Sequence, residues 1–370
     1  MQKWILVLCT CFSLIAQAQL FPFELKGKWG YMDAEGTIRI QAVYDYADDF
    51  YEDKAVVALR NLPCVINFEQ KRIVDTGIYQ YISRFSSGLA SATHFNGQKS
   101  YIDSTGKARI ALDAAIYEAR PFANGIAVVS KKMDEHQTKF GRDIATLGYK
   151  FALMNTEGKY ITGFDFDDAE DARDGIVKVR VGAKIGLLNT QGQWISKPTF
   201  FAVGVFSESL ALADQDGKFG YINTQGQWVV QPKFEMGMTF TEGLAGVSLK
   251  GKVGFINTAG DWVIEPQFDA VKPFAEGKAA AYKDGKWGFI NKQGQWVIRN
   301  VFDNTGIFSE QLCAVLVKRY WGFIDAQGKL VIPAEFDAAG SFHNGVADIV
   351  YKDLNLYINT QGRLLPIIQK

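Results

Sequence analysis

The sequence predicts an all-β repeat array, and three observations predict it. A Trp-Gly type marker recurs every 34 residues, at Gly186, Gly220, Gly254, Gly288 and Gly322. Behind each marker stands Asn or Asp at the third position and nearly always Gly at the sixth, the chemistry of a tight turn between two short apolar runs. No apolar stripe runs at helical spacing, while aromatic residues make up 14% of the chain and Gly numbers 36. Self-similarity at such a period means one supersecondary unit copied along the chain, each copy burying the next.

The chain opens with a segment that reads as a leader, residues 1–18. Lys3 gives a positive start, Ile5 to Ile15 is apolar, and Ala16-Gln17-Ala18 is a small-x-small cleavage signal. The apolar run is too short to span a bilayer. Cleavage after Ala18 is the expectation; lipidation on Cys9 or Cys11 is disfavoured, because little apolar sequence precedes either. No later segment is long and apolar enough to span a membrane.

The array then occupies residues 19–370 as one domain. Its marker slot holds Gly30, Cys64, Ser100, Ala152, the five glycines above and finally Leu356, which makes ten units. The step from Ser100 to Ala152 is 52 residues (152 − 100), so about 18 are inserted there, and the charged run Lys131–Gly148 is the candidate. It reads as a long loop on a rigid scaffold, a place where function or disorder collects. Residues from Leu354 onward read as a terminal cap.

Within a unit, Lys286-Trp287-Gly288-Phe289-Ile290 is a strand, Asn291-Lys292-Gln293-Gly294 a type I turn with Gly in the left-handed position, and the run from Trp296 a second strand. Where the marker Gly is replaced, Ala, Ser or Cys stands in its place, which implies limited room for a side chain and not a need for positive φ. Pro198, Pro232 and Pro266 are read as ending second strands. An aromatic such as Phe268 or Phe302, often followed by Asp, comes next, and Phe-x-x-Gly-x-Ala opens the following strand.

Lys-Trp-Gly-Phe-Ile-Asn-x-x-Gly with Phe-x-x-Gly-x-Ala resembles the WG-containing repeat family of bacterial proteins, over essentially the whole mature chain. Trp29-Gly30, Gly186, Gly220, Gly254, Trp287-Gly288 and Trp321-Gly322 carry the resemblance. Units two to four, with Pro63-Cys64, Lys99-Ser100 and Phe151-Ala152, depart from the pattern. The family is defined by its repeat, so the resemblance implies no activity and no cofactor.

About three strands per 34 residues is fewer than the four of a propeller blade. The expectation is therefore an open, twisted β-solenoid, with a closed propeller-like ring as the alternative. Two cysteines remain after cleavage, Cys64 and Cys313, in units two and nine; they read as small buried thiols, and a bridge between them would argue for closure.

Composition bounds function. With 40 basic and 40 acidic residues, and 39 against 40 once Lys3 is removed, no global field attracts nucleic acid. The acidic run Asp165–Asp171 lacks the spacing of a calcium loop and falls in register with the repeat. His94, His136 and His343 are scattered, with no zinc spacing. No catalytic motif is present, and Cys313 with His343 does not single itself out. The functional lead is the ladder Trp194, Trp228, Trp262 and Trp296, either an exposed aromatic track for a protein or glycan or an inter-repeat core. The reading is an exported, non-enzymatic binding or scaffold protein of the bacterial envelope, periplasmic or extracellular. An enzyme with a site in the concavity or at the insertion, and a purely structural spacer, are the competing readings.

Overall fold

The computed structural model describes residues 20–33, 36–139 and 142–365, with the side chains of 134–139 and 142–147 outside the description. The leader lies outside the described residues. Among them the chain folds into ten small antiparallel sheets and no helix. The sheets follow one another as the blades of a ring. The open solenoid favoured by the sequence is therefore corrected: the structure is a ten-bladed β-propeller.

Blade eight shows the unit. Its strands are Ala270–Val271, Ala279–Lys283, Lys286–Ile290 and Trp296–Phe302, hydrogen-bonded in that order. The first holds only two residues, which is why a count from apolar runs finds three strands and not four. Asn291 closes the hairpin as its spacing predicts: the Gly294 amide donates to the Asn291 carbonyl, and the amides of Gln293 and Gln295 to its Oδ1. Gly294 takes φ +77°.

The marker glycine explains how one blade hands over to the next. Trp287 pairs with Phe302 and Phe289 with Ile298, so three residues of the fourth strand answer the single Gly288. That excess makes the fourth strand arch across the face of its own sheet. A Cβ on Gly288 would lie 2.5 Å from the Asn300 nitrogen, and one on Gly254 2.3 Å from the Ile264 carbonyl oxygen. The space is limited by the same unit's fourth strand. The arch delivers the chain to the next blade, so a single residue, Asp303, links Phe302 to the next first strand, Asn304–Thr305. Where the marker is Cys64 or Ser100 the handover is longer, through residues 75–78 and 112–115.

Asp303 also ties blades together. It accepts from Lys286 Nζ at 2.5 Å and from the Lys318 amide at 2.6 Å, in the hairpin turn of the following blade. Asp45 does the same with Lys28 and the Asn61 amide, and Asp167 with Lys150 and the Gly182 amide. A second tie lies in the Phe-x-x-Gly turn. Glu242 and Glu276 adopt φ of +52° and +50°, and their carboxylates accept from the backbone amides of Gly277 and Gln311 in the next blade. Glu52, Glu208 and Glu310 repeat the contact. The aromatic-Asp pair and the residue before the turn Gly, unexplained by the sequence, are thus inter-blade ties.

Closure rests on side chains. Among the described residues, blade one comprises Phe21–Leu25, Lys28–Met32 and Ile38–Tyr44, and blade ten Ala338–Ala339, Val346–Tyr351 and Leu354–Asn359. Phe23 and Met32 pack with Val346 and Leu365 in one buried cluster. Leu354–Asn359 is thus not a cap but a seam strand. Closure needs no disulfide, since Cys64 and Cys313 are both free and buried in separate clusters.

The insertion is not a loop. Ile126–Lys139 pairs with Arg142–Asn155 without a break out to Lys139 and Arg142, so the extra residues lengthen one hairpin of blade four into an arm.

Candidate functional site

The tryptophan ladder lies between blades. Each Trp starts a fourth strand and meets, edge to face, a Phe of the preceding blade, which ends the fourth strand there in three cases and, as Phe166, makes an isolated bridge to Phe151 in the fourth. The pairs are Phe166–Trp194, Phe200–Trp228, Phe234–Trp262 and Phe268–Trp296, with centroids 5.5–6.0 Å apart. Trp228, Trp262 and Trp296 are half-buried, and Trp194, at 41% exposed, is the most open. The ladder spends one face of each indole on packing. Among the other marker residues, Trp29, Trp287 and Trp321 are half-buried beside their glycines, and Gly30, Gly186, Gly220 and Gly322 are all crowded by fourth-strand atoms.

A different set of residues breaks the symmetry of the ring. The two positions before the Phe of Phe-x-x-Gly follow each first strand and sit at the same place in every blade. In blades two to five they are Asp48-Asp49, Ser83-Arg84, Arg120-Pro121 and Glu170-Asp171. In blades six to ten they are Gly204-Val205, Met238-Thr239, Lys272-Pro273, Gly306-Ile307 and Gly340-Ser341. Charge is concentrated in one arc. Two couplings skip a blade: Arg84 of blade three acts on Asp171 of blade five, and Asp49 of blade two on Tyr357 of blade ten. Only a rim on which the blades converge brings such residues within reach, so the row faces the inner side of the ring.

Arg120 is the hub. Its Nη1 donates to the Ala169 carbonyl at 2.7 Å, its Nε lies 3.1 Å from Glu118, and Asp171 stands 3.9 Å away. Its carbonyl accepts from the Tyr101 hydroxyl, and its guanidinium lies over the Phe151 ring. Burial raises the Asp171 carboxyl above its ordinary value, against the pull of Arg120 and Arg84. Burial, then Asp48, likewise raises Asp49. Glu170 pairs with Lys178 at 2.6 Å. The acidic run Asp165–Asp171 is thus largely spent on ion pairs along this rim.

Exposed tyrosines interleave with these charges. Tyr46 and Tyr81 occupy one repeat slot in blades two and three, and are 52% and 53% exposed. Burial of their hydroxyl ends, then Asp48, raises both phenols. A hollow of about 430 Å³ between blades two and three is lined by Tyr46, Asp48, Asn61, Tyr81 and Arg84. A second, of about 320 Å³, between blades three and four, is lined by Tyr81, Thr93, Lys99, Tyr117, Glu118 and Arg120. Tyr81 stands between them. The signal that could have found this row was present: aligning the units on Phe-x-x-Gly exposes the change at the two preceding positions. Cys313 belongs to no such site. It is buried beside Thr305, and burial pushes its thiol up to about 11.

A family model described as WG containing repeat matches residues 29–62, 151–184, 185–219, 219–252, 254–287, 287–318 and 321–354. The unmatched stretch from 63 to 150 holds Tyr81, Arg84, Glu118 and Arg120 of the row, and the arm. No curated protein matches the sequence. Among solved structures, a eukaryotic initiation factor is similar in fold at 12% identity, over 94% of this chain and 95% of that chain, with a TM-score of 0.51. BamB from Moraxella catarrhalis is matched at 12% identity over 82% and 92% of the two chains, with a TM-score of 0.36. PorZ from Porphyromonas gingivalis is matched at 9% identity over 87% and 51%, with a TM-score of 0.29.

Proposed function

The chain belongs to the WG containing repeat family, and we propose that it is an exported, non-enzymatic binding protein of the bacterial envelope. The single observation that carries the reading is the asymmetry of the inner rim. Blades six to ten carry one charge in this row, Lys272, while blades two to five carry Tyr46, Tyr81, Asp48, Glu118, Arg84 and Arg120 around two adjoining hollows. Exposed tyrosine rings offer flat apolar faces, and interleaved carboxylates and guanidinium groups offer acceptors and donors side by side. A glycan presents the complement of both: C–H faces and hydroxyls. The leader-like residues 1–18 support export, and the near-zero net charge argues against a polyanion.

The test is binding of envelope polysaccharide fragments to the mature chain, by glycan array and then calorimetry, with Tyr81→Ala and Tyr46→Ala beside the parent. Both side chains are more than half exposed, so the fold should survive. Loss of a glycan signal in Tyr81→Ala, with unchanged circular dichroism, supports the reading. Binding that persists in the double variant, or an array blank for the parent, sinks it. A protein partner at the same rim is the second reading, favoured by the balanced charge of the row; cross-linking from position 81 in intact cells distinguishes it.

A further inference from the structure

Blade three departs from the repeat at two positions that line one hollow. The residue before its marker is Lys99, where blades four to nine carry Phe151, Ile185, Phe219, Val253, Trp287 and Trp321. Within its second strand stands Ser91, where blades four, six, eight and nine carry Val128, Leu212, Ala280 and Ala314. Both residues line the hollow of about 320 Å³ between blades three and four. A cation and a hydroxyl thus replace apolar side chains there, within the stretch that the family repeat does not match.

Neither polar group is satisfied by the protein. Lys99 is half-buried, and it pairs with no carboxylate among the described residues. Glu118, the carboxylate of the lining, lies 3.1 Å from Arg120, so Lys99 is the cation in excess. Ser91 is 3% exposed, and its Oγ has no hydrogen-bond partner among the described residues. The neighbouring Ser83 hydroxyl is spent on the Ser91 amide and the Arg84 carbonyl. A half-buried cation without a counter-ion and a buried hydroxyl without a partner both carry a cost that an anion with oxygen acceptors removes. The walls are aromatic. Tyr81 and Tyr117 both line the hollow and are exposed. The Tyr117 ring is held by Tyr149, with centroids 4.6 Å apart, and by the Lys132 ammonium, 4.6 Å from its centre. Lys132 and Tyr149 face each other at the base of the arm, so the arm fixes one wall of the hollow.

We propose that this hollow receives the carboxylate of one acidic sugar residue, a uronic acid, within an otherwise neutral glycan. Lys99 is its counter-ion, and the Ser91 and Thr93 hydroxyls are donors to its oxygens. A carboxylate has two acceptor oxygens and so answers an ammonium and a hydroxyl together, which a neutral sugar hydroxyl does less strongly. The sugar ring carrying it lies against the tyrosine walls. One acidic residue fits the single surplus charge of the lining, and it agrees with a chain whose net charge offers no field for a polyanion. The inference rests on the glycan reading and adds to it the charge of the sugar and the residue that selects it.

The experiment uses the mature chain, residues 19–370, and calorimetry with disaccharides of glucuronic, galacturonic or mannuronic acid linked to glucose, each beside its carboxyl-reduced neutral form. At least one acidic disaccharide is expected to bind at least tenfold more tightly than its reduced form. Lys99→Gln should abolish that preference and leave affinity for the reduced form unchanged, and Lys99→Arg should retain part of it. Circular dichroism checks the variants, and the comparison of acidic with reduced sugar on the parent chain needs no variant at all. Equal affinity for each acidic sugar and its reduced form, or a preference that survives in Lys99→Gln, overturns the proposal and leaves the glycan reading standing. A parent chain that binds none of the acidic disaccharides also overturns it; the glycan reading falls as well only if the array of envelope polysaccharide fragments is blank. Binding of glucose 6-phosphate in preference to every uronic acid assigns the hollow to phosphate and overturns the proposal too.

Discussion

Gly288→Ala tests the arch that links the blades. A Cβ at position 288 would stand 2.5 Å from the Asn300 nitrogen, 2.6 Å from its Cα and 2.7 Å from the Arg299 carbonyl carbon. Ordinary contact begins near 3.4 Å, so the fourth strand must lift by about 0.9 Å (3.4 − 2.5). It is held down on both sides by the Trp287–Phe302 and Phe289–Ile298 pairs and beyond them by Asp303. All the clashing atoms are backbone, and none is the end of a flexible side chain. Overpacking of this kind costs about 1–3 kcal/mol or more. With a urea slope of about 3 kcal/mol/M, a 2 kcal/mol loss lowers the unfolding midpoint by roughly 0.7 M, and Gly288→Val should lower it further. Gly204→Ala is the control. Its nearest atom is the Leu212 carbonyl oxygen at 3.5 Å, so a methyl fits. The loss of chain entropy in the unfolded state should then leave it neutral or stabilise it by about 0.4–1 kcal/mol. Urea unfolding of the three proteins followed by far-ultraviolet circular dichroism decides. An unchanged midpoint for Gly288→Ala, or equal drops at 288 and 204, would refute the close approach as the reason for the marker glycine.

Acrylamide quenching should find the tryptophans mostly protected, with Trp194→Phe removing more of the quenchable emission than Trp228→Phe, Trp262→Phe or Trp296→Phe; equal effects would contradict the packing against the preceding Phe. The inter-blade acids give a pH dependence. Lys286 and then the Lys318 amide hold Asp303 below the usual carboxylate range, Asp45 and Asp167 are lowered in the same way, and the Gly251 amide lowers Glu235. A folded pKa below the unfolded one contributes stability that is present above the unfolded pKa of about 4 and is lost as pH falls through the folded value. Thermal stability should therefore fall below about pH 4, less steeply in Asp303→Asn; identical acid profiles would remove Asp303 from the account. Replacing Met133–Gly148 by Asn-Gly should leave a folded ring, because Lys132 and Tyr149 still face each other at the hairpin end, and collapse of the circular dichroism signal would show that the arm belongs to the core.

What the sequence disclosed and what it hid follow from which residues carry each feature. The hairpin was legible at Asn291 and Gly294 because turn geometry restricts residue type, and the marker was legible because backbone approach excludes a side chain. The two-residue first strand was not, since Ala270–Val271 is too short for a period of two to register. Closure was not legible either. A repeat of 34 residues is equally compatible with an open helix and a ring, because the rotation between units is set by face-to-face packing angles that leave no mark on residue identity. The residues that seal the ring, Phe23 and Met32 against Val346 and Leu365, read as ordinary core. The inner-rim row was hidden for the opposite reason. The ladder of Trp194, Trp228, Trp262 and Trp296 draws the eye because it repeats, yet repetition is what packing demands of every blade, and these indoles lie against Phe166, Phe200, Phe234 and Phe268. In a ring of equivalent units, residues that serve the scaffold recur and residues that serve one ligand do not. The positions that merit mutation are therefore those where the repeat fails without structural need, foremost the exposed Tyr46 and Tyr81.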